Sequence, residues 1–105
     1  MDEVHVIARG VARKGNEGQV KALLQGMLAP TQAEPGCKLY ELYESDESGR
    51  FYFYESWENP AALMQHVASV HYQHLQRNLG DLLEEFFEVN ILTRVPNVEG
   101  SPPSR

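Results

Sequence analysis

The run Phe51-Tyr52-Phe53-Tyr54-Glu55-Ser56-Trp57 constrains this chain more than any other segment. Aromatic β-formers at this density read as a strand, and side chains on a strand alternate between two faces. Phe51, Phe53, Glu55 and Trp57 then share one face, and Tyr52 and Tyr54 lie on the other. Aromatic residues on both faces mean that neither side of the sheet is simply open to water. The fold must therefore cover one face with its own helices and find something else for the second.

The flanking sequence supplies the rest of the fold. Cys37 to Glu44 is a preceding strand, joined to the aromatic one by Ser45-Asp46-Glu47-Ser48-Gly49-Arg50, a turn-forming stretch, so the two make an antiparallel hairpin. Upstream, Val4 to Ala12 is rich in β-branched and small residues and reads as a first strand. Val20, Leu23, Leu24, Met27 and Leu28 follow at the spacing of an amphipathic helix, loosened near Pro30 and ended by Pro35-Gly36. Asn59 is a good helix cap and Pro60 suits the first helical position. The second helix should run from here toward Leu79, with Leu63, Val67 and Val70 on its buried stripe and a break near Ser69. Gly80 interrupts, Leu82-Leu83 add a short turn, and Phe86 to Arg94 form a fourth strand.

The order β-α-β-β-α-β is the α+β, ferredoxin-like arrangement. Residues 1–95 form one domain, and 96–105, rich in Pro, Ser and Gly, form a flexible C-terminal tail. A chain of 105 residues buries a limited core. Packing two sheets face to face in a homodimer would cover the second face.

Composition excludes several functions. A net charge of −6, with Lys and Arg scattered, argues against nucleic acid as a partner. No apolar run approaches the roughly 18 residues of a membrane span, and the acidic start Met1-Asp2-Glu3 has no signal-peptide pattern. The single cysteine, Cys37, fits a reducing compartment. The chain reads as soluble and cytoplasmic, with no membrane partner. It carries no Gly-rich phosphate loop, no nucleophile elbow and no dinucleotide fingerprint.

The residues able to carry chemistry are few. Glu55, on the inward face beside Trp57, is either a paired edge carboxylate or a buried one with a raised pKa that orients an imidazole or acts as a base. His66 lies beside the apolar stripe of the second helix, aimed at the sheet, and imidazole is the group best poised to move a proton near neutral pH. It is either a hydrogen-bonded core residue or the base. His71 and His74 follow at five and eight residues, a spacing that lacks the i, i+4 pair of a helical zinc motif, so no metal site is expected. His71 contributes to the pocket and His74 is exposed. His5 reaches the same cleft or faces a partner subunit. Tyr72 and the other tyrosines serve as core, interface or ligand platform.

Glu34-Pro35-Gly36-Cys37, the Phe51-x-Phe53-x-Glu55-x-Trp57 strand, then Ala62, His66, Ser69 and His71 together resemble the antibiotic biosynthesis monooxygenase family, in particular its small quinol-monooxygenase branch. The resemblance covers roughly residues 3–95. It implies a dimeric α+β barrel with a cleft between sheet and helices, and oxidation of a quinol or polycyclic phenol by molecular oxygen with no cofactor. On that reading His66 is the catalytic base and Glu55 its orienting carboxylate. Trp57, Phe53, Tyr72, His71 and His5 form the substrate-binding set. Two other outcomes fit the same resemblance: a proton-transfer isomerase of a small metabolite, and a non-catalytic ligand-binding or stress-response module. The haem-degrading branch is disfavoured, because Ala8 and Gln76 stand where its asparagine and iron-ligating histidine fall.

Overall fold

The computed structural model describes residues 3–98. Strand β1 spans Val4–Ala12, followed by helices α1 (Glu17–Gln25) and α2 (Leu28–Gln32). The hairpin strands are β2 (Cys37–Glu44) and β3 (Arg50–Trp57). Helices α3 (Pro60–Val67) and α4 (Val70–Leu79), a short 3-10 turn over Gly80–Leu82 and strand β4 (Leu83–Leu92) complete the chain. The sheet order is β2-β3-β1-β4 with every pairing antiparallel, the ferredoxin-like topology expected from the sequence.

Alternation decides what faces the helices. Val6 and Ala8 of β1 and Tyr40 of β2 are buried with Phe51, Phe53, Glu55 and Trp57 of β3. Val20, Leu24 and Met27 from the first helical segment, with Leu75 and Leu79 from α4, pack against them. The opposite face carries Ile7, Tyr43, Tyr54 and Leu92, all substantially exposed in the single chain. Gly10 has a specific reason to be glycine: a Cβ there would lie 2.5 Å from the Phe87 ring. That close approach coincides with the register shift between β1 and β4.

Three boundaries differ from the sequence reading. The first helix breaks at Gly26-Met27, one turn before Pro30, because a proline ring collides with the carbonyl four residues earlier, here that of Gly26. Strand β4 starts at Leu83, three residues before the expected Phe86, because Leu83 pairs with Ala12 across the sheet. Neither Val67, 38% exposed, nor Val70 belongs to a buried stripe of α3. The chain breaks at Ala68-Ser69, leaving Val70 83% exposed, and Ala62 and His66 are the residues α3 buries. Of the expected tail, residues 96–98 have no regular structure, and the remainder lies outside the described residues.

Candidate functional site

Between the helices and the inner sheet face lies a cavity of about 70 Å³ that opens to solvent. Its wall is mostly apolar, with Tyr40, Phe53, Tyr72 and Phe87 as aromatic panels and Glu55 and His66 as the ionisable groups. The chemistry of this lining suits a flat, largely apolar group that presents a few polar atoms, and a ring system larger than the cavity would project through its mouth.

Local chemistry positions each group. The turn after α2 holds Glu34 by two backbone hydrogen bonds, Glu34 N–H to Thr31 O at 3.0 Å and Cys37 N–H to Glu34 O at 3.1 Å. Gly36 completes the turn at φ +86°, a conformation natural to glycine, and Ala62 of α3 fills the space a side chain would take. Asn59 caps α3 by accepting from Ala62 N–H at 2.9 Å. Ser69 does two jobs at the break: its hydroxyl donates to His66 O at 2.7 Å and accepts from Tyr72 N–H at 3.2 Å. The last turn of α3 and the first turn of α4 thus present His66 and His71 to the same carboxylate.

That carboxylate is Glu34. Its Oε2 lies 2.8 Å from His66 Nδ1 and 2.5 Å from His71 Nε2. The expected pairing of His66 with Glu55 is therefore corrected. Glu55 Oε1 instead accepts a hydrogen bond from Trp57 Nε1–H at 2.9 Å, since the two residues share a strand face two positions apart. The His66 ring sits 4.8 Å from the Trp57 ring and 5.2 Å from that of Tyr72, centroid to centroid.

Electrostatics follows burial. Burial pushes the Glu55 carboxyl up to about 7; the Trp57 hydrogen bond opposes this and the Glu34 charge adds to it. Burial also lowers His66, against the raising effect of Glu34, so imidazole rather than imidazolium is favoured at neutral pH. The contact between His66 and Glu34 is then a neutral donor on a carboxylate: Nδ1 carries the proton and Nε2 keeps its lone pair. Tyr40 and Tyr72 are both raised, chiefly by burial, and remain neutral phenols.

The other expected site residues divide. Phe53 and Tyr72 line the cavity with Glu55 and His66. Trp57, fully buried, stands behind the wall and supports both ionisable groups instead of forming the wall itself. His71 belongs to the Glu34 cluster and is absent from the cavity lining. His5 is on the opposite sheet face, its ring 6.5 Å from Tyr54, because odd-numbered residues of β1 point away from the helices. His74 is exposed and bonded to Asn78. Glu34, the carboxylate that meets both imidazoles, stood in the sequence only as part of the family signature, with no role assigned to it. Its position directly before Pro35-Gly36 was the available signal.

Comparison with known proteins matches residues 3–78 to the model for antibiotic biosynthesis monooxygenase. A Mycobacterium tuberculosis protein named "Putative monooxygenase Rv0793" is 38% identical over 89 residues, which span 85% of this chain and 88% of that protein. Its solved structure superimposes with a TM-score of 0.85 at 36% identity, covering 90% of this chain and 97% of the other. The crystal structure of PA3566 from Pseudomonas aeruginosa also gives 0.85, at 28% identity, covering 91% and 97%.

Proposed function

The chain belongs to the antibiotic biosynthesis monooxygenase family, and from that premise we propose that it oxidises a quinol or polycyclic phenol with molecular oxygen, using side chains alone. The observation that carries this reading is the orientation of His66. Glu34 accepts its Nδ1–H, so the Nε2 lone pair is the basic atom of a ring that lines an apolar cavity.

Such an imidazole takes the proton from a bound aromatic hydroxyl, and Glu34 stabilises the imidazolium that forms. In a phenol whose para carbon carries hydrogen, the phenolate passes one electron to oxygen, and the resulting radical pair joins at that carbon. Proton transfer to the distal peroxide oxygen then breaks the O–O bond. The ring carbon loses its hydrogen as a proton and becomes a carbonyl. The phenol and one oxygen molecule yield a quinone and one water, and all the electrons come from the substrate. Glu55, protonated up to about pH 7, is the acid at hand for the departing oxygen.

The exposed Ile7, Tyr43, Tyr54 and Leu92 on the outer sheet face support a homodimer packed through that face, with the mouth of the cavity left to substrate. Among the described residues no helix is long and apolar enough to cross a membrane.

The test is oxygen uptake with a panel of quinols and fused-ring phenols. His66→Ala should lower kcat/KM by roughly 10²- to 10⁴-fold on the best substrate. Turnover that proceeds equally well without oxygen would transfer the site to a proton-transfer isomerase.

A further inference from the structure

Glu34, His66 and His71 present three metal-ligating atoms within 4.8 Å of one another. They arrive from three separate pieces of chain: the turn after α2, the last turn of α3 and the first turn of α4. Two imidazoles and one carboxylate make a donor set that zinc accepts, with a further position left for water. Zinc bonds of about 2.0–2.2 Å place tetrahedral ligand atoms roughly 3.3–3.6 Å apart. The contacts here are 2.8 and 2.5 Å, so an ion enters by spreading the carboxylate oxygen from the two nitrogens by roughly 0.5–1.1 Å. Access is from the solvent side, since Glu34 and His71 are partly exposed whereas His66 is buried. The spacing of His66, His71 and His74 gave no hint of this set, because the third donor is not a histidine and lies 32 residues before His66.

We propose that Glu34, His66 and His71 form a site for a zinc-class divalent cation, and that filling it switches His66 off as a base. The inhibitory half rests on the assignment of His66 Nε2 as the base in the proposed function. A neutral imidazole carries one proton on one of two nitrogens. Bound only to Glu34, His66 holds that proton on Nδ1 and offers a lone pair from Nε2. Coordination through Nδ1 moves the proton to Nε2, so the nitrogen assigned as the base becomes a donor. His71 would coordinate through Nε2, the nitrogen that faces Glu34. The ion thus blocks the base from behind without entering the cavity. Magnesium and calcium, which favour sets composed of oxygen, should not compete.

The experiment is calorimetric titration of the chelator-treated full-length protein with zinc chloride, in the absence of substrate. One ion per chain is expected. Glu34→Gln and His71→Ala should each weaken binding by more than about tenfold, since even partners that merely orient ligands contribute that much. His74→Ala and Cys37→Ser, which alter metal-capable side chains outside the set, should bind as the parent does. Nitrogen-15 spectra of the imidazoles supply a second readout: His66 Nε2 should change from an unprotonated to a protonated nitrogen as zinc is added. Absence of saturable zinc binding, or equal binding by Glu34→Gln and His71→Ala, overturns the site and leaves the base assignment standing. Zinc that binds through these residues yet leaves Nε2 unprotonated overturns the switch. Zinc that protonates Nε2 without slowing oxygen uptake overturns the inhibitory claim and the base assignment with it.

Discussion

Replacing Glu55 by Gln should make the protein much less sensitive to alkaline pH. Glu55 is 6% exposed, and its carboxyl is raised from 4.5 to about 7, first by burial and then by the Glu34 charge, against the Trp57 hydrogen bond. The native state therefore holds this proton more tightly than the unfolded chain does. Below pH 4.5 both states are protonated, and the stabilisation from the tighter proton is fully present. As pH rises from there through about 7, the unfolded chain releases the proton first, and native stability falls. At about 1.36 kcal/mol per pH unit, the loss attributable to this one group is about 3 kcal/mol. The amide of the Glu55→Gln variant keeps the shape and can still accept from Trp57 Nε1–H through its carbonyl oxygen, but it has no proton to lose. The assay is urea unfolding of both proteins at pH 5 and pH 8, at equal protein concentration. With urea slopes of about 1–3 kcal/mol per molar, the parent midpoint should fall by roughly 1–3 M more than that of the variant between the two conditions. Every other titrating group is shared, so its contribution cancels in the comparison. Parallel curves for the two proteins would show that Glu55 is hydrated and ordinary in acidity, and the argument for it as a neutral acid would fail.

The same two groups should shape the rate profile: kcat/KM is expected to be bell-shaped, with an acid limb below 6.5 from His66 and an alkaline limb near 7 from Glu55. Glu55→Gln should abolish the alkaline limb and leave the acid limb; the persistence of both would remove Glu55 from proton transfer. Gly36→Ala should destabilise by roughly 2–5 kcal/mol, because it adds a positive-φ penalty of about 1–2 kcal/mol to overpacking of about 1–3 kcal/mol. Its Cβ would lie 2.6 Å from that of Ala62, whereas Gly15, at φ +94° in open space, carries only the backbone part. Equal losses for Gly36→Ala and Gly15→Ala in urea unfolding would refute the packing account.

Where a local rule governs, the sequence was legible. Asn59-Pro60 fixed the start of α3, the polar turn fixed the hairpin, and period-two alternation put Phe51, Phe53, Glu55 and Trp57 inside. The Glu55–Trp57 hydrogen bond was readable from the same alternation, because residues two apart on a strand are neighbours on one face. What failed was non-local. The start of β4 depends on pairing with Ala12, and the choice between Glu34 and Glu55 as partner of His66 depends on how α3 docks. Of the two readings for His5, parity excludes the cleft: Val4, Val6 and Ala8 were the inward set, so the residue between the two valines had to point out.

The turn from Glu34 to Cys37 shows why a signature that reads as folding also carries chemistry. Gly36 lacks the atom that would hold α3 away, so Ala62 packs directly against the turn. Gly36 O accepts from Glu58 N–H at 2.8 Å, which ties the same turn to the chain leaving β3. Both constraints fix the approach of α3, and His66 lies four residues, about one helical turn, beyond Ala62. Residues four apart stack on one helix face. The contact that seats the helix on the glycine therefore also sets where His66 stands relative to Glu34. Ser69 then turns the chain so that His71 reaches the same oxygen from α4. A change at Gly36 should consequently disturb the protonation of His66 as well as stability, even though the glycine itself has no side chain to offer the cavity.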